Sequence, residues 1–326
     1  MNKTMGFIIS RKNNEERRAL LPEALSYIRN KNCLVFEKGY GKALGYEDRE
    51  YIRAGAKIDS RENVLKCDIL VDVKLGDADY LDKIEAGKTL VGWAHATQQV
   101  DFASAVMNGN HTVIAWEEIY EDGRYIFYRN REIAGEAAIL HGFRYCKKMP
   151  YDTTVCIVGN GHTAKGCLRV LHGLGTKHVD VYPRKFEELF KKKMFEYDVV
   201  VNCVMWDTTR TDRLIYKSDL KKFKPGTLII DVSCDPYLEI ETSYPTTIDN
   251  PVYTVDGVVH YAVDNTPAMY ANTVAKILSA GFAKYVDQIA EENYSKEIEN
   301  AVVIKNGHIL SEQIRLFREK RGLFIK

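Results

Sequence analysis

The sequence feature that most constrains the fold is a glycine-rich turn between an apolar segment and a helical pattern, in the stretch TTVCIVGNGHTAKGCLR from Thr153 to Arg169. The apolar run before the turn, residues 155–158, is typical of a strand buried in a parallel sheet. Gly159, Gly161 and Ala164 then give the spacing G-x-G-x-x-A, which permits a tight turn and a close approach of the backbone to a pyrophosphate. The helix that follows offers free N–H groups and the positive end of its dipole to phosphates. The stretch therefore predicts a dinucleotide-binding fold, in preference to an ordinary glycine-rich turn.

The second strand of this unit, His178 to Tyr182, indicates which dinucleotide is bound. Sites for NAD usually end that strand with an acid that bonds the ribose 2′-hydroxyl. Here Arg184 and Lys185 follow the strand, while Asp180 lies inside it. The two cations suit a 2′-phosphate and favour NADPH, although they are also compatible with ordinary surface charges at the start of a helix. The residues expected at the cofactor site are Gly159, Gly161, His162, Thr163, Ala164, Tyr182, Arg184, Lys185 and Cys203.

Composition argues against several classes of protein. With 326 residues, the chain is long enough for two domains. A net charge of +1 favours neither nucleic acid nor a membrane as a partner. The seven cysteines form no C-x-x-C pair, which fits reduced thiols and a cytoplasmic location. We expect no membrane span, no metal site and no serine hydrolase, because the sequence lacks a long apolar run, a cluster with ligand spacing and a G-x-S-x-G element.

Apolar runs alternate with helical patterns along most of the chain, which predicts an α/β fold with mostly parallel sheets. The expected strands are Met5–Ile9, Cys33–Phe36, Asp68–Val73, Leu90–Trp93, Thr112–Trp116, 155–158, His178–Tyr182, Val199–Val204, Leu228–Val232 and Val258–Val263. The expected helices begin at Pro22, Asp48, Gln98, Arg131 and Met269. We expect two Rossmann-like domains with a cleft between them. The substrate domain comprises residues 1–130 and 270–326, because the tail returns to it, and the dinucleotide domain comprises residues 131–269.

Four side chains with useful chemistry lie where the expected strands of the first domain end, namely Arg17, Lys74, His95 and Glu117. Ligands bind beyond the carboxyl ends of strands in parallel sheets. Arg17 offers a planar fork for a carboxylate, Lys74 a point charge for a carboxylate or carbonyl oxygen, and His95 a proton donor near neutral pH. With a hydride carrier, this set suits reduction of a 2-oxo acid or of its imine. Each residue also has a structural alternative, as a surface charge or as a histidine packed beside an aromatic ring.

Several strings resemble the superfamily of alanine dehydrogenase, transhydrogenase and lysine-forming saccharopine dehydrogenase. They are RRALLPEAL, GYEDREYIRAGAKI, DVKLGD, GWAHATQ, VGNGHTAKG and the long block DVSCDPYLEIETSYPTTIDNPVYTVDGVVHYAVDNTPAMY. Together they run from Arg17 to Tyr270. Within the superfamily, the short tail, the SCDP and YAVDNTP runs and the basic end of the second strand resemble the compact branch of carboxyethylornithine synthases.

The resemblance implies roles for individual residues. Arg17 and Lys74 match the residues that hold the oxo acid, and His95 matches the catalytic acid/base. Glu117 resembles an acid near the substrate, and Asp235 matches an aspartate near the nicotinamide and the substrate in alanine dehydrogenase. Two further residues are implicated by the same comparison. Asp264 stands where saccharopine dehydrogenase has an acid and alanine dehydrogenase an amide, which favours a cationic amino substrate, and Arg131 is a candidate for binding that substrate's carboxylate.

The resulting expectation is an NADPH-dependent imine reductase of the opine type. It joins pyruvate to the side-chain amine of ornithine or lysine and works as a homo-oligomer, a tetramer or a dimer. The alternatives are alanine dehydrogenase, with ammonia and NADH, and saccharopine dehydrogenase, with 2-oxoglutarate and lysine. An NADP-sensing protein without activity is a rival from another class, and the set Arg17, Lys74 and His95 argues against it.

Overall fold

The computed structural model describes residues 2–207, 210–234 and 236–326. The strands are β1 Met5–Phe7, β2 Leu34–Glu37, β3 Lys57–Asp59, β4 Ile69–Val71, β5 Thr89–Gly92, β6 Thr112–Ala115, β7 Tyr120–Glu121, β8 Arg124–Tyr125, β9 Thr154–Val158, β10 His178–Tyr182, β11 Val199–Asn202, β12 Leu228–Asp231, β13 Val252–Val255, β14 Val258–Tyr261, β15 Val302–Lys305 and β16 His308–Ile309. The α-helices are α1 Asp48–Arg53, α2 Arg61–Val64, α3 Val100–Asn108, α4 Tyr128–Gly142, α5 His162–Gly173, α6 Glu187–Lys193, α7 Ala271–Ala290, α8 Lys296–Asn300 and α9 Glu312–Glu319. Within those described ranges, no helix has the length and apolar character needed to cross a bilayer.

The first compact unit comprises Met1–Phe127 and Ala271–Lys326. Its eight-stranded sheet has the order β16-β15-β6-β5-β4-β1-β2-β3. The pairs from β6 through β3 are parallel, whereas the C-terminal strand β15 pairs antiparallel with β6 and with β16. The central strands β1, β4 and β6 are buried along their whole length, which explains why they are continuous apolar runs rather than alternating patterns.

The second compact unit comprises Tyr128–Tyr270. Its sheet has the order β10-β9-β11-β12-β14-β13, with every pair parallel except the edge pair β13–β14. The glycine-rich turn connects the inner strand β9 to α5, and β10 lies beside β9 in direct register, with Tyr182 opposite Val158. The expectation of an α/β fold with mostly parallel sheets in two domains is therefore confirmed.

Most predicted elements are present, and the differences lie at edges and ends. The prediction missed β3 and β13, each an edge strand of its own sheet without a buried apolar run, and the short hairpin β7–β8. The helix predicted from Pro22 is a 3-10 helix, Pro22–Tyr27. The helix predicted from Met269 begins at Ala271 after a 3-10 turn. Edge strands are paired on one side only, so the sequence there is under weaker constraint to be apolar.

Helices α4 and α5 of the second unit pack backbone to backbone because each carries a glycine at the contact. A Cβ atom on Gly166 would lie 1.9 Å from the carbonyl oxygen of Glu132, and one on Gly135 would lie 2.1 Å from the carbonyl oxygen of Thr163. Such distances are far below van der Waals contact, so alanine at either position forces the helices apart. The two glycines thus have a packing function.

We predict that Gly166→Ala lowers the free energy of unfolding by about 1–3 kcal/mol, since it overfills the contact between α4 and α5. The matched control is Gly173→Ala at the end of the same helix, where a Cβ atom meets nothing within 4 Å. That change should leave stability unaltered or raise it by up to about 1 kcal/mol, because alanine favours the helix. Chemical denaturation followed by circular dichroism measures both, and equal effects of the two substitutions would contradict the packing account.

Candidate active site

The four residues singled out in the first unit follow four strands that are neighbours in its sheet. Arg17 follows β1, Lys74 follows β4, His95 follows β5 and Glu117 follows β6, and the sheet order is β6-β5-β4-β1. Because these strands are parallel, their carboxyl ends lie at one edge. The structure therefore brings the four residues to a single edge of the sheet, which we call the substrate edge.

Arg17 is held at this edge by an acid and an aromatic ring. Its Nε and Nη2 atoms donate to the two carboxylate oxygens of Glu15 at 2.9 and 2.5 Å, and its backbone N–H donates to the same carboxylate at 2.9 Å. The guanidinium lies 4.8 Å from the centre of the Trp93 ring. Arg17 is only 2% exposed, so the ion pair and the ring fix a planar cation at one place.

The adjacent arginine, Arg18, has a structural function instead. Its Nε atom donates to the backbone carbonyl of Tyr40, and its Nη1 atom donates to the carbonyl of Arg17 at 2.8 Å. Both carbonyls belong to loops of the first unit, and Arg18 is buried. Both arginines are buried, so burial does not distinguish their functions. Their hydrogen-bond partners do, because Arg18 donates to backbone carbonyls whereas Arg17 donates to a carboxylate.

Lys74 lies in a short turn that fixes its backbone and its ammonium group. Its N–H donates to Asp72 Oδ1 at 2.9 Å, and its carbonyl accepts the N–H of Asp77 at 2.8 Å. Its Nζ atom lies 3.5 Å from the Asp77 carboxylate, which also lies 3.3 Å from the Nζ of Lys12. Lys74 is 7% exposed, so its charge is partly withdrawn from water and balanced by a carboxylate.

His95 is exposed and lies in a backbone conformation that is uncommon for a residue with a side chain. Its φ angle is 43°, in the left-handed region. The Glu117 carboxylate accepts the N–H of His95 at 2.6 Å and that of Ala94 at 3.2 Å, so the acid that follows β6 secures the loop that follows β5. Uncommon backbone conformations of this kind persist only where the surroundings hold them, and they concentrate at functional sites.

The Lys74 turn and the His95 loop are in direct backbone contact. The N–H of Gly76 donates to the carbonyl of Trp93 at 2.9 Å, and a Cβ atom on Gly76 would lie 2.3 Å from the carbonyl oxygen of Ala94. Gly92 has a φ angle of 156°, and a Cβ atom there would lie 1.8 Å from the carbonyl oxygen of Asp72. Two glycines thus allow the loops that carry the lysine and the histidine to lie side by side.

Burial raises the pKa of the Asp72 carboxyl to about 7. Asp72 is 1% exposed, and the nearby Glu15 carboxylate raises the pKa further, whereas the N–H of Lys74 and the Arg61 guanidinium lower it. The Tyr80 hydroxyl also faces this carboxyl. No sequence signal marks Asp72, Glu15 or Asp77 as partners of the site, although each lies within three residues of a predicted site residue.

This pKa predicts a pH-dependent cost of burying Asp72. The group binds its proton more tightly in the folded chain than in the unfolded chain, so its contribution to stability is lost as pH rises through about 7. The free energy of unfolding of Asp72→Asn, relative to that of the wild type, should therefore increase between pH 5 and pH 8 by on the order of 2 kcal/mol. Thermal denaturation of both proteins at the two pH values measures this, and a difference independent of pH would contradict it.

The glycine-rich turn of the second unit has the geometry that a dinucleotide phosphate requires. Gly159 has a φ angle of 106°, and a Cβ atom there would lie 2.7 Å from the carbonyl oxygen of Cys203. The N–H of Gly159 donates to the carbonyl of Tyr182 at 2.9 Å, which ties the turn to the end of β10. A Cβ atom on Gly161, at the start of α5, would meet nothing within 4 Å. The turn is therefore closed towards the protein and open in front of the helix, and these residues fit a nicotinamide dinucleotide.

The predicted residues at the end of β10 divide into buried and exposed ones. The Tyr182 hydroxyl lies 2.5 Å from the Tyr197 hydroxyl, which donates to Asp180 at 2.6 Å. Burial and these two partners raise the pKa of Tyr197. Arg184 and Lys185 are exposed, so the structure does not bring the Tyr182 side chain together with the two cations.

His162 and Thr163 begin α5 and are half-buried. The His162 Nδ1 atom lies 3.4 Å from Glu132 on α4, and the same carboxylate pairs with Arg129 and with Arg169, the latter at 3.1 Å. Hydrogen bonds from the two arginines and from His162 hold the pKa of Glu132 below its ordinary value against the opposing effect of burial. Glu132 thus fixes the ring at the head of the helix.

A buried amide at the end of β11 joins the end of β12 to the loop that follows β12. Asn202 Nδ2 donates at 2.9 Å to Asp231 and at 2.9 Å to Glu239, and all three side chains are at most 1% exposed. Burial raises the pKa of Asp231. Asp235 lies outside the described residues. Asp264 follows β14, is half-buried and donates its N–H to the carbonyl of Thr246 at 3.0 Å.

Comparisons with known proteins place the chain in a family. A model described as the N-terminal domain of alanine dehydrogenase/PNT matches residues 9–127, and one described as the C-terminal domain matches residues 152–313. N(5)-(carboxyethyl)ornithine synthase of Lactococcus lactis is 30% identical over 281 residues, 81% of this chain and 90% of the relative. The protein of the same name from Clostridium botulinum is 28% identical, over 90% of this chain and 95% of the relative.

Solved structures agree at the level of the fold. An L-alanine dehydrogenase superimposes with a TM-score of 0.82 at 20% identity, over 97% of this chain and 99% of the other. A transhydrogenase from Sinorhizobium meliloti gives a TM-score of 0.77 at 15% identity, over 95% and 99%. The family models and the glycine-rich turn together define the class, an oxidoreductase with a nicotinamide cofactor. The chain belongs to the alanine dehydrogenase/PNT family, and its resemblance to the carboxyethylornithine synthases is confirmed.

Proposed function

We propose that the protein is an NADPH-dependent imine reductase that joins pyruvate to the side-chain amine of ornithine, or of lysine, to give a carboxyethyl amino acid. The observation that carries the proposal is the substrate edge, where Arg17, Lys74 and His95 follow three neighbouring strands. Relatives named N(5)-(carboxyethyl)ornithine synthase, at 28–30% identity, support the choice of reaction within the family.

Each residue of the substrate edge has its own proposed role in imine formation. Arg17 presents a fixed planar cation to the carboxylate of the oxo acid, and Lys74 places a positive charge at its carbonyl oxygen. The neutral amine attacks the keto carbon, and His95 relays the two protons that the nitrogen loses to the oxygen, which leaves as water when the imine forms. The bound nicotinamide supplies the hydride that reduces the imine. Glu117 secures the His95 loop through two backbone N–H groups, which supports a positioning function beside the predicted contact with substrate.

The choice of NADPH is supported by the residues around the end of β10. The acid of that strand, Asp180, accepts a hydrogen bond from Tyr197, and the next acid in the chain is Glu187, which pairs with Arg210 at 2.7 Å. Arg184 and Lys185 remain exposed directly after the strand. Cations without an acid at this position suit a 2′-phosphate better than a ribose hydroxyl.

The second substrate is assigned from the acids of the second unit. Asp264 and Asp235 are proposed to face the cationic amino acid, and Arg131, half-buried on α4, to bind its carboxylate. Alanine dehydrogenase is the second candidate function, because relatives of that name match most of the chain, as does that of Methanococcus maripaludis at 27% identity over 93% of this chain. It would use ammonia, for which an additional acid has no evident use.

The experiment that tests the function is a grid of oxidation rates for the reduced cofactor. Pyruvate and 2-oxoglutarate are crossed with ornithine, lysine and ammonia, with NADPH and NADH measured separately. We expect turnover with pyruvate, NADPH and a diamino acid. Turnover only with ammonia and NADH would make the protein an alanine dehydrogenase, and a requirement for 2-oxoglutarate would favour saccharopine formation.

We predict that His95→Ala lowers kcat/KM by about 10²- to 10⁴-fold, the usual contribution of a general acid or base. The effect should appear in kcat with little change in the KM for NADPH, because the cofactor is held by the second unit. His172→Ala, an exposed histidine on α5, serves as the control and should retain wild-type kinetics. Wild-type turnover in His95→Ala would remove the catalytic assignment.

We predict that Arg184→Ala raises the KM for NADPH by about 10- to 100-fold, as expected for the loss of a hydrogen bond to a charged phosphate. The KM for NADH should stay within about twofold, because NADH lacks the 2′-phosphate. Lys192→Ala removes an exposed cation from α6 and controls for a general effect of charge. If the preference for NADPH over NADH is the same in Arg184→Ala as in the wild type, the cofactor assignment is wrong.

A further inference from the structure

We propose that Asp72 is a positioning residue that holds Lys74 in the orientation in which it binds the oxo acid. The inference rests on the proposed function, in which Lys74 contacts that substrate. It adds a residue that neither the sequence motifs nor the similarity to known proteins singles out, and it explains why the chain places a carboxyl group beneath the substrate edge.

Lys74 is held through its backbone as well as through its ammonium group. The Asp72 carboxylate accepts its N–H at 2.9 Å, the N–H of Asp77 donates to its carbonyl at 2.8 Å, and the Asp77 carboxylate lies 3.5 Å from its ammonium. The backbone of Lys74 has φ −115° and ψ 53°, outside both the helical and the extended regions. Without the Asp72 carboxylate, the Lys74 N–H loses its partner at a buried position, which favours a change of the turn.

The surroundings of Asp72 leave its carboxyl little freedom to move. Its backbone carbonyl lies against Gly92, where a Cβ atom would approach to 1.8 Å, and its N–H donates to the carbonyl of Val91 at 3.0 Å. The carboxyl also faces the Tyr80 hydroxyl and interacts electrostatically with Arg61 and with Glu15, the partner of Arg17. The Asp72 backbone is thus held at the end of β4, and its buried carboxyl links that end of the strand to the lysine that follows it.

The test compares variants at the two ends of β4. Asp72→Leu and Asp72→Ala remove the acceptor, whereas Asp72→Asn retains a carbonyl oxygen for the Lys74 N–H. Asp68→Leu is the matched control, since Asp68 precedes the strand and accepts the N–H of Thr4 at 2.8 Å. Steady-state kinetics with pyruvate, ornithine and NADPH, together with hydrogen exchange of residues 72–78 read by mass spectrometry, are measured for every folded variant.

We expect Asp72→Leu or Asp72→Ala to raise the KM for pyruvate by about tenfold or more, while the KM for NADPH stays within about twofold. Asp72→Asn should recover most of the affinity for pyruvate, and Asp68→Leu should match the wild type. The proposal would be overturned if Asp72→Leu and Asp72→Ala kept the wild-type KM for pyruvate. It would also be overturned if Asp72→Asn raised that KM as much as they do.

Hydrogen exchange separates this proposal from the proposed function. Faster exchange of residues 72–78 in Asp72→Leu or Asp72→Ala, with slow exchange in Asp72→Asn, is expected whichever substrates the enzyme accepts. Unchanged exchange in the variants without an acceptor would overturn the positioning role even if the wild type reduces the imine. If residues 72–78 exchange slowly in the wild type but the wild type shows no turnover with pyruvate, the result would instead count against the proposed function.

Discussion

The sites in both units depend on backbone contacts between loops that leave neighbouring parallel strands. In the first unit, Gly92 and Gly76 let the turn that carries Lys74 lie directly against the loop that carries His95. In the second unit, Gly159 lets the glycine-rich turn lie against the backbone of Cys203 after β11. A side chain at any of these positions would separate the loops by the width of a methyl group or more, and the functional side chains would separate with them.

Charged groups at the substrate edge are arranged in pairs. Each cation that is proposed to bind the oxo acid is held by an acidic side chain of the protein. Glu15 holds Arg17, and Asp77 lies between Lys74 and Lys12. Such pairs fix orientation more than they add stability, because the loss of hydration on burial offsets much of the Coulomb attraction. Under the proposed function, the carboxylate of the oxo acid would meet cations that are already oriented, which would lower the cost of ordering them on binding.

Much of this organisation can be predicted from the sequence, because parallel strands produce apolar runs with polar residues directly after them. Lys74 and His95 stand at such positions, Arg17 lies farther along the loop that follows β1, and the glycine-rich turn has a spacing with a known mechanical reason. The partners of these residues could not be predicted in the same way. Whether Arg17 or Arg18 faces a carboxylate depends on the position of Tyr40, and the engagement of Asp180 depends on Tyr197, which approaches it only in the folded sheet. Asp72 is one of 45 acids in the sequence, and only the folded chain shows that it is buried.

The central claim is that hydride reaches a carbon bonded to the side-chain nitrogen of a diamino acid. NADPH carrying deuterium at the transferable position tests this directly, with pyruvate and ornithine as substrates and the product analysed by mass spectrometry and NMR. The account predicts one deuterium on the former keto carbon, with that carbon bonded to the δ-nitrogen of ornithine. Deuterium recovered in free alanine or lactate, with ornithine unchanged, would contradict it.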